Sequence, residues 1–283
     1  MKKSDLFPNL DDVSFADTDT ASVLRQIVAA YESVSNRTLS QSDPVYLFLH
    51  SIALIIAHQR TLIDIAAKNN LLAYAEGSYL DHIGALLGVS RLDGEDDESL
   101  RERIRIAPES FSVAGPAKAY EFHARKAHPD IADVKILTPP DTEPGHVEIY
   151  PLMKGGAMPD DSVLEAVRNI CAADTVRPDT DYVTVKKPSA VTFTLNIDYW
   201  IDAGNSAVAV SLKQNIEQAI ETWLVWQKSS LGRDINPSEL THRVIQAGAK
   251  RCVIHSPVFT VLKNSQTASC SQKLINYMGL EES

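Results

Sequence analysis

Apolar residues recur every three or four positions from Thr18 onward, at Val23, Ile27, Tyr31 and Val34. This is the spacing of one helix face. The polar run NRTLSQSDP (36–44) interrupts it, and within that run Asp43 suits a helix N-cap and Pro44 a first helical position. From Pro44 to about Ala75 there is neither Gly nor Pro, and Leu47, Ile52, Ile55, Ile56, Leu62, Ile63 and Ile65 give a broad apolar face. Unbroken, that helix would reach roughly 48 Å; a break near Asn69-Asn70 would make it two. A shorter helix is expected over SYLDHIGALLG (78–88), with Leu80, Ile83, Leu86 and Leu87 inward and Gly88 as its cap. The segment DGEDDESLRERIRIAP (93–108) predicts another, capped by Asp96 and stopped by Pro108.

After residue 115 the pattern changes. GPAKAYEFHARKAHP (115–129) reads as a helix with Pro116 at its first position. The period then drops to two in DVKILT (133–138) and HVEIYPL (146–152), strands parted by the turn-rich PPDTEPG (139–145). A helix over 158–173 follows, with Val163, Leu164, Val167 and Ile170 on one side. Then come strands at DYVTV (181–185) and VTFTLNIDYWI (191–201). A long amphipathic helix is expected over 207–227, carrying Val210, Ile216, Ile220 and Leu224. A second helix over 237–248 and a closing strand KRCVIHSPVFTVL (250–262) complete the pattern.

The expected fold class is therefore α+β: a helical N-terminal region followed by two consecutive small αβ domains with mixed sheets. The expected boundaries are a poorly ordered polar arm (1–17), a helical domain (18–112), a first αβ domain (113–188), a second (189–262) and a tail (263–283) without an assignment.

Composition narrows the function. The formal net charge of −10 argues against a general nucleic-acid binder, because such proteins need a basic surface to displace counterions. It predicts basic surfaces on any partner. The three cysteines, Cys171, Cys252 and Cys270, are far apart and in no CxxC spacing, so reduced thiols are expected. The N-terminal lysines are followed by no apolar stretch, so no secretory signal is expected. The most apolar window, PVYLFLHSIALIIA (44–57), falls short of the roughly 20 residues a membrane span needs. It predicts a buried core helix and a soluble protein.

The sequence has no P-loop, dinucleotide fingerprint, zincin motif, nucleophile elbow or calcium loop. Gly84 and Gly88 have membrane-dimer spacing, but their setting is short and amphipathic and points to helix packing and capping. His50 and His58 are eight apart and His123 and His128 five apart; neither pair has the i, i+4 spacing of a metal-binding helix. No cofactor is implied. Glu95, Asp96, Asp97 and Glu98 are consecutive, unlike calcium ligands, which alternate with spacers. With Arg101, Arg103 and Arg105 behind them they complement the helix dipole. Asp97–Arg101, Glu98–Arg101 and Glu102–Arg105 have ion-pair spacing. The first reading is a solvated structural helix, in which exchanging the charges of Asp97 and Arg101 would barely change stability. The second is a subunit interface. Trp223 and Trp226 share a helical face and suit a core or an aromatic contact patch. The candidate interface residues are Asp81, Arg91, Glu95, Asp97, Arg101, Arg105, Trp223 and Trp226.

The order of several short motifs resembles one family. Leu80-Asp81 is followed by Gly88-Val89, Arg91, an acidic turn, and Arg101 with Arg103. Then come Ala114-Gly115, Tyr120, HPDIADV, Gly145 before a strand, VRPDTDYVTV (176–185) and LGRDINPSELTHRVIQ (231–246). Together, over about residues 77–185 and more faintly to 262, they resemble the baseplate J-like family of contractile phage tails and related injection machines. Pro116, where a small hydroxyl residue is common, and GAKRCV before the last expected strand depart from the pattern. The resemblance implies a structural wedge subunit with no active site. It would be made in the bacterial cytoplasm and incorporated in the baseplate of a virion or injection particle. Implied partners are other wedge subunits (the sheath-initiating, lysozyme-like subunit and a second or fibre-bearing subunit), the central hub or spike, and further copies of itself in a ring, with no nucleic acid and no membrane insertion. A receptor-binding or adaptor module of the same machine is the first alternative, and a metal-dependent hydrolase using converged His and Asp residues the second.

Overall fold

The computed structural model describes residues 3–111, 115–138 and 144–282. The chain divides into two compact units, one formed by residues 1–91 and 96–105 and the other by 92–95 and 106–283.

The first unit is helical. Helix α1 (Thr20–Ser35) is capped by the Asp19 carboxylate, which accepts from the Ala21 and Ser22 amides, and it ends at Asn36 in the left-handed region. Helix α2 (Pro44–Lys68) opens as its sequence predicts, with Asp43 accepting from the Val45 amide at 2.9 Å and Pro44 in the first turn. It stops at the Asn69 cap, so the expected break is real and the helix is about 37 Å long. Val23 of α1 packs on Ala53 and Ala57 of α2, with Leu24, Ile27 and Ile56 around them. Val34, expected on the apolar face, is 85% exposed.

Residues 3–17 form no helix or strand, yet they are not the loose arm expected. Ser4 N–H donates to the Ala73 carbonyl, Val13 N–H to the Tyr74 hydroxyl and Phe15 N–H to Asp64 Oδ1 at 2.7 Å. Composition suggested disorder because it does not register such distant acceptors.

Helix α3 (Ser78–Leu86) buries Leu80, while Leu86 points outward against expectation. It closes in a Schellman motif: Val89 N–H reaches the Gly84 carbonyl, Gly88 N–H reaches that of Ala85, and Gly88 sits at φ +69°. Helix α4 (Asp97–Ile106) follows, with Asp96 Oδ1 accepting from the Ser99 amide. It passes at Ala107 into a 3-10 turn, Ala107–Phe111, that contains Pro108.

The second unit carries two three-stranded mixed sheets. In the first, β1 (Ile131–Leu137) runs antiparallel to β2 (His146–Met153), and β3 (Tyr182–Val185) runs parallel to β2. Residues 139–143 of the expected turn lie outside the described residues, as do the parts of the expected arm and tail at 1–2 and 283. Helices α5 (Ala117–Arg125) and α6 (Asp161–Cys171) cover this sheet through Tyr120, Ala124, Val163, Val167 and Cys171. Pro116 is the cap of α5 rather than its first residue.

In the second sheet β4 (Ser189–Asp202) is central, between antiparallel β5 (Arg251–Ser256) and parallel β6 (Gln266–Glu281). Alternation along β4 turns Leu195, Ile197, Tyr199 and Ile201 onto α7 (Ala209–Lys228) and α8 (Pro237–Gln246), where Ile216, Ile220, Trp223, Leu240 and Val244 complete the core. The strand expected over 250–262 ends at Ser256, and the tail left unassigned supplies β6, the longest strand. Its Ser, Asn, Gln and Gly residues mask the period; parallel pairing along β4 sets its conformation. Asp133 ties the two sheets together, as its Oδ2 accepts from Ser230 Oγ (2.9 Å) and the Leu231 amide (2.8 Å). The fold is α+β with a helical N-terminal region.

Candidate assembly interface

The α4 cluster is built from three neighbouring pieces of the first unit. Arg91 bridges two carboxylates, Asp81 at 2.8 Å and Asp97 at 2.7 Å. Asp97 also accepts from the Gly77 amide at 2.9 Å. The expected Asp97–Arg101 ion pair does not form; only the Asp97 backbone carbonyl faces Arg101, at 3.4 Å. Arg101 donates to the carbonyls of Leu72 (2.8 Å) and Ala75 and to Glu98 (2.6 Å). It is 4% exposed, and Arg103, which donates to the Ser90 carbonyl, is 3% exposed. The solvated helix of the sequence reading is therefore a clamp, in which Arg101 holds the turn after α2 and Arg103 the Ser90 carbonyl beyond α3. Glu102–Arg105 forms as predicted, with Arg105 gripping both carboxylate oxygens at 2.6 Å.

Of the candidate interface residues, Asp81, Arg91, Asp97 and Arg105 reach the surface. Arg101 is buried, and Glu95 is 6% exposed and accepts from the Leu92 amide. Neither presents a contact surface. Trp223 is also removed from that set: it is fully buried, edge-on to Phe193. The guanidinium groups of Arg233 (4.0 Å) and Arg243 (4.7 Å) both lie over the Trp226 ring, intramolecular cation–π contacts.

Burial by itself would raise the pKa of Asp97, but the Gly77 amide and Arg91 outweigh it and hold the carboxyl below its usual value. A depressed carboxylate contributes stability that is present above its unfolded pKa, about 3.9, and is lost as pH falls through the folded value. The stability difference between wild type and Asp97→Asn in urea titrations should be constant above about pH 5 and shrink in more acidic buffer. A difference that stays constant through the acid range would refute the coupling.

The largest departure from the sequence reading is α2. Expected as a buried core helix, it buries only Leu49, Ala53, Ala57 and Asp64. Small alanines make the contact with α1, so the large residues remain outside. Phe48 is 65%, Ile55 63%, Leu54 54% and Leu62 46% exposed. Phe48, Ser51, Ile55, His58, Leu62 and Ile65 succeed one another at spacings of 3, 4, 3, 4 and 3, the seam of a helix that packs on another helix. The sequence carried this signal in its broad apolar face; what it did not carry was the direction that face points. By length and composition α2 could cross a membrane. Among the described residues no three His, Cys, Asp or Glu side chains are grouped to hold a metal ion.

The α2 face is the longest exposed apolar helix surface of the first unit. Residues 41–93, which contain α2 and α3, match the baseplate J-like N-terminal domain, and residues 112–187, which contain the first sheet, match the baseplate J-like central domain. The chain is thus similar, over these two stretches, to the baseplate J-like family. Baseplate protein J of Escherichia phage P2 is 28% identical over 268 residues, which cover 89% of this chain and 87% of that protein.

Proposed function

We propose that the chain is a wedge subunit of a contractile-tail baseplate, assembling around the hub and passing on the movement that triggers sheath contraction. The observation that carries this reading is the α2 seam, about 37 Å of heptad-spaced apolar surface on a helix buried only along its alanine side. Such a surface suits a helix of another wedge subunit. A lipid surface is less suited, because Ser51 and His58 sit within the seam, where polar residues fix helix register. Asp64 accepts from the Phe15 amide and pairs with Lys68, so α2 also carries the residues that fasten the N-terminal segment. Movement of α2 would therefore be passed to its surroundings rather than absorbed.

The test is co-expression with the remaining wedge proteins of the same gene cluster, followed by native mass spectrometry. Wild type should enter a defined heteromeric complex. Ile55→Glu with Leu62→Glu should stay out of it while melting as wild type does, since both positions are exposed. Incorporation of that variant at the wild-type level would overturn the assignment of the seam.

A further inference from the structure

An edge of the second sheet is formed by strand β6. Strand β6 pairs with β4 on one side only, along sixteen residues. Free edges are commonly protected by charges, proline, short length or a bulge, and β6 has bulges opposite Phe193/Thr194 and Tyr199/Ile201. Here Lys273 and Glu281 are the only charged residues of the strand, and LINYMGL (274–280) between them has none and no proline. Leu274, Tyr277, Met278 and Leu280 are 50%, 36%, 53% and 47% exposed, so apolar surface is open along this stretch.

The register with β4 shows which residues share a face. Ile275, Tyr277 and Leu280 stand beside Ile197, Tyr199 and Ile201, the row turned into the core. A bulge sets Met278 and Gly279 together against Trp200, with Gly279 at φ +105°. Counting the bulge as one step, Ile275 and Leu280 lie two steps either side of Tyr277. An antiparallel copy of the strand related by a dyad at Tyr277 would therefore set Tyr277 against itself and Ile275 against Leu280 of the second copy. Opposite residues in an antiparallel pair share a face, so the core row would continue without a break. Four steps out, Lys273 would meet Glu282 of the second copy. A dyad moved to Asn276 would set Lys273 against Leu280 instead. On the core-side row the Tyr277 register matches apolar to apolar and brings Lys273, which already pairs with Glu221, to Glu282; on the other face it sets Leu274 against Glu281.

We propose that the β6 edge is a homodimer interface, at which two copies join antiparallel about Tyr277 and the two three-stranded sheets become one of six strands. The contact is isologous, and a dyad-related pair closes on itself. It is independent of the α2 seam, which lies in the other unit.

Sedimentation velocity on the full chain, with no other wedge protein present, should show a monomer–dimer equilibrium. Leu280→Lys should weaken it about 30-fold or more, the range of an interface hot spot, without lowering the melting temperature. A second measurement fixes the register. In a Cys252→Ser, Cys270→Ser background, Tyr277→Cys should form a disulfide-linked dimer on mild oxidation, because opposed Cα atoms in an antiparallel pair lie about 4.5–5.5 Å apart. Asn276→Cys should not. A chain that remains monomeric across the micromolar range overturns the proposal. So does a dimer that ignores Leu280→Lys and fails to cross-link at 277 but is dissociated by Ile55→Glu with Leu62→Glu, which would place self-association on α2.

Discussion

Exchanging the charges of Asp97 and Arg101 (Asp97→Lys with Arg101→Glu) is expected to destabilise the helical unit by roughly 3–5 kcal/mol, the cost of disrupting a buried charge network. An exchange within an exposed i, i+4 pair would be worth under about 1 kcal/mol. The difference lies in where the groups point. Arg101 is buried, and its guanidinium is the donor for the Leu72 and Ala75 carbonyls. A glutamate at that place adds a third acceptor and leaves all three without a proton. Lysine at 97 meets Arg91 across the former 2.7 Å ion pair. Arg101→Met separates the effects, since it keeps the apolar stem and strands only the carbonyls, at about 1–3 kcal/mol for each buried acceptor left unmade. Urea unfolding followed by circular dichroism measures both. A double variant within 1 kcal/mol of wild type would mean that water replaces the guanidinium and that the clamp is not needed.

Gly115→Val should cost about 2–4 kcal/mol and act on the first sheet. Gly115 has φ +67°, where a β-carbon brings about 1–2 kcal/mol of strain and valine, branched at that carbon, more. The added atom would also stand 2.7 Å from Pro178 Cγ and 2.9 Å from Asp181 Oδ2. Asp181 cannot yield freely, because the same oxygen accepts from the Tyr120 hydroxyl at 2.7 Å. Burial and then Asp181 push the Tyr120 phenol well above its usual pKa, so it stays a donor. Gly115→Ala removes the branching but keeps the strain and the clash, and should fall between wild type and valine. Thermal unfolding of the three proteins checks the order; equal midpoints would show that the turn relaxes without loss.

The α4 segment shows how far sequence reasoning reached. Its cap at Asp96 and the Glu102–Arg105 grip were legible, because each depends on residues within four positions; the helix gives way to a 3-10 turn at Ala107, before the expected stop at Pro108. The partners of Arg101 were not, since they lie 29 and 26 residues away in the turn after α2. Helical spacing proposes partners on the same helix and is silent about carbonyls brought from elsewhere. Trp226 repeats the lesson. Its apolar ring suggested a contact patch, but the guanidinium groups of Arg233 and Arg243 already lie over it.

The sequence by itself determined the kinds of element, most of their ends, the α+β class and the family resemblance, because caps, periodicity and turn residues act locally. Tertiary structure alone decided which faces are covered. Helix α2 has the composition of a core helix, yet only the alanine side meets α1, so the apolar face that reads as interior is the exterior. Residues 266–281 have no clear strand pattern, yet β4 offers an unpaired edge and they pair along it. In both cases a neighbour's free hydrogen bonds or close-packing surface settled the outcome, and no window of the chain contains its neighbour.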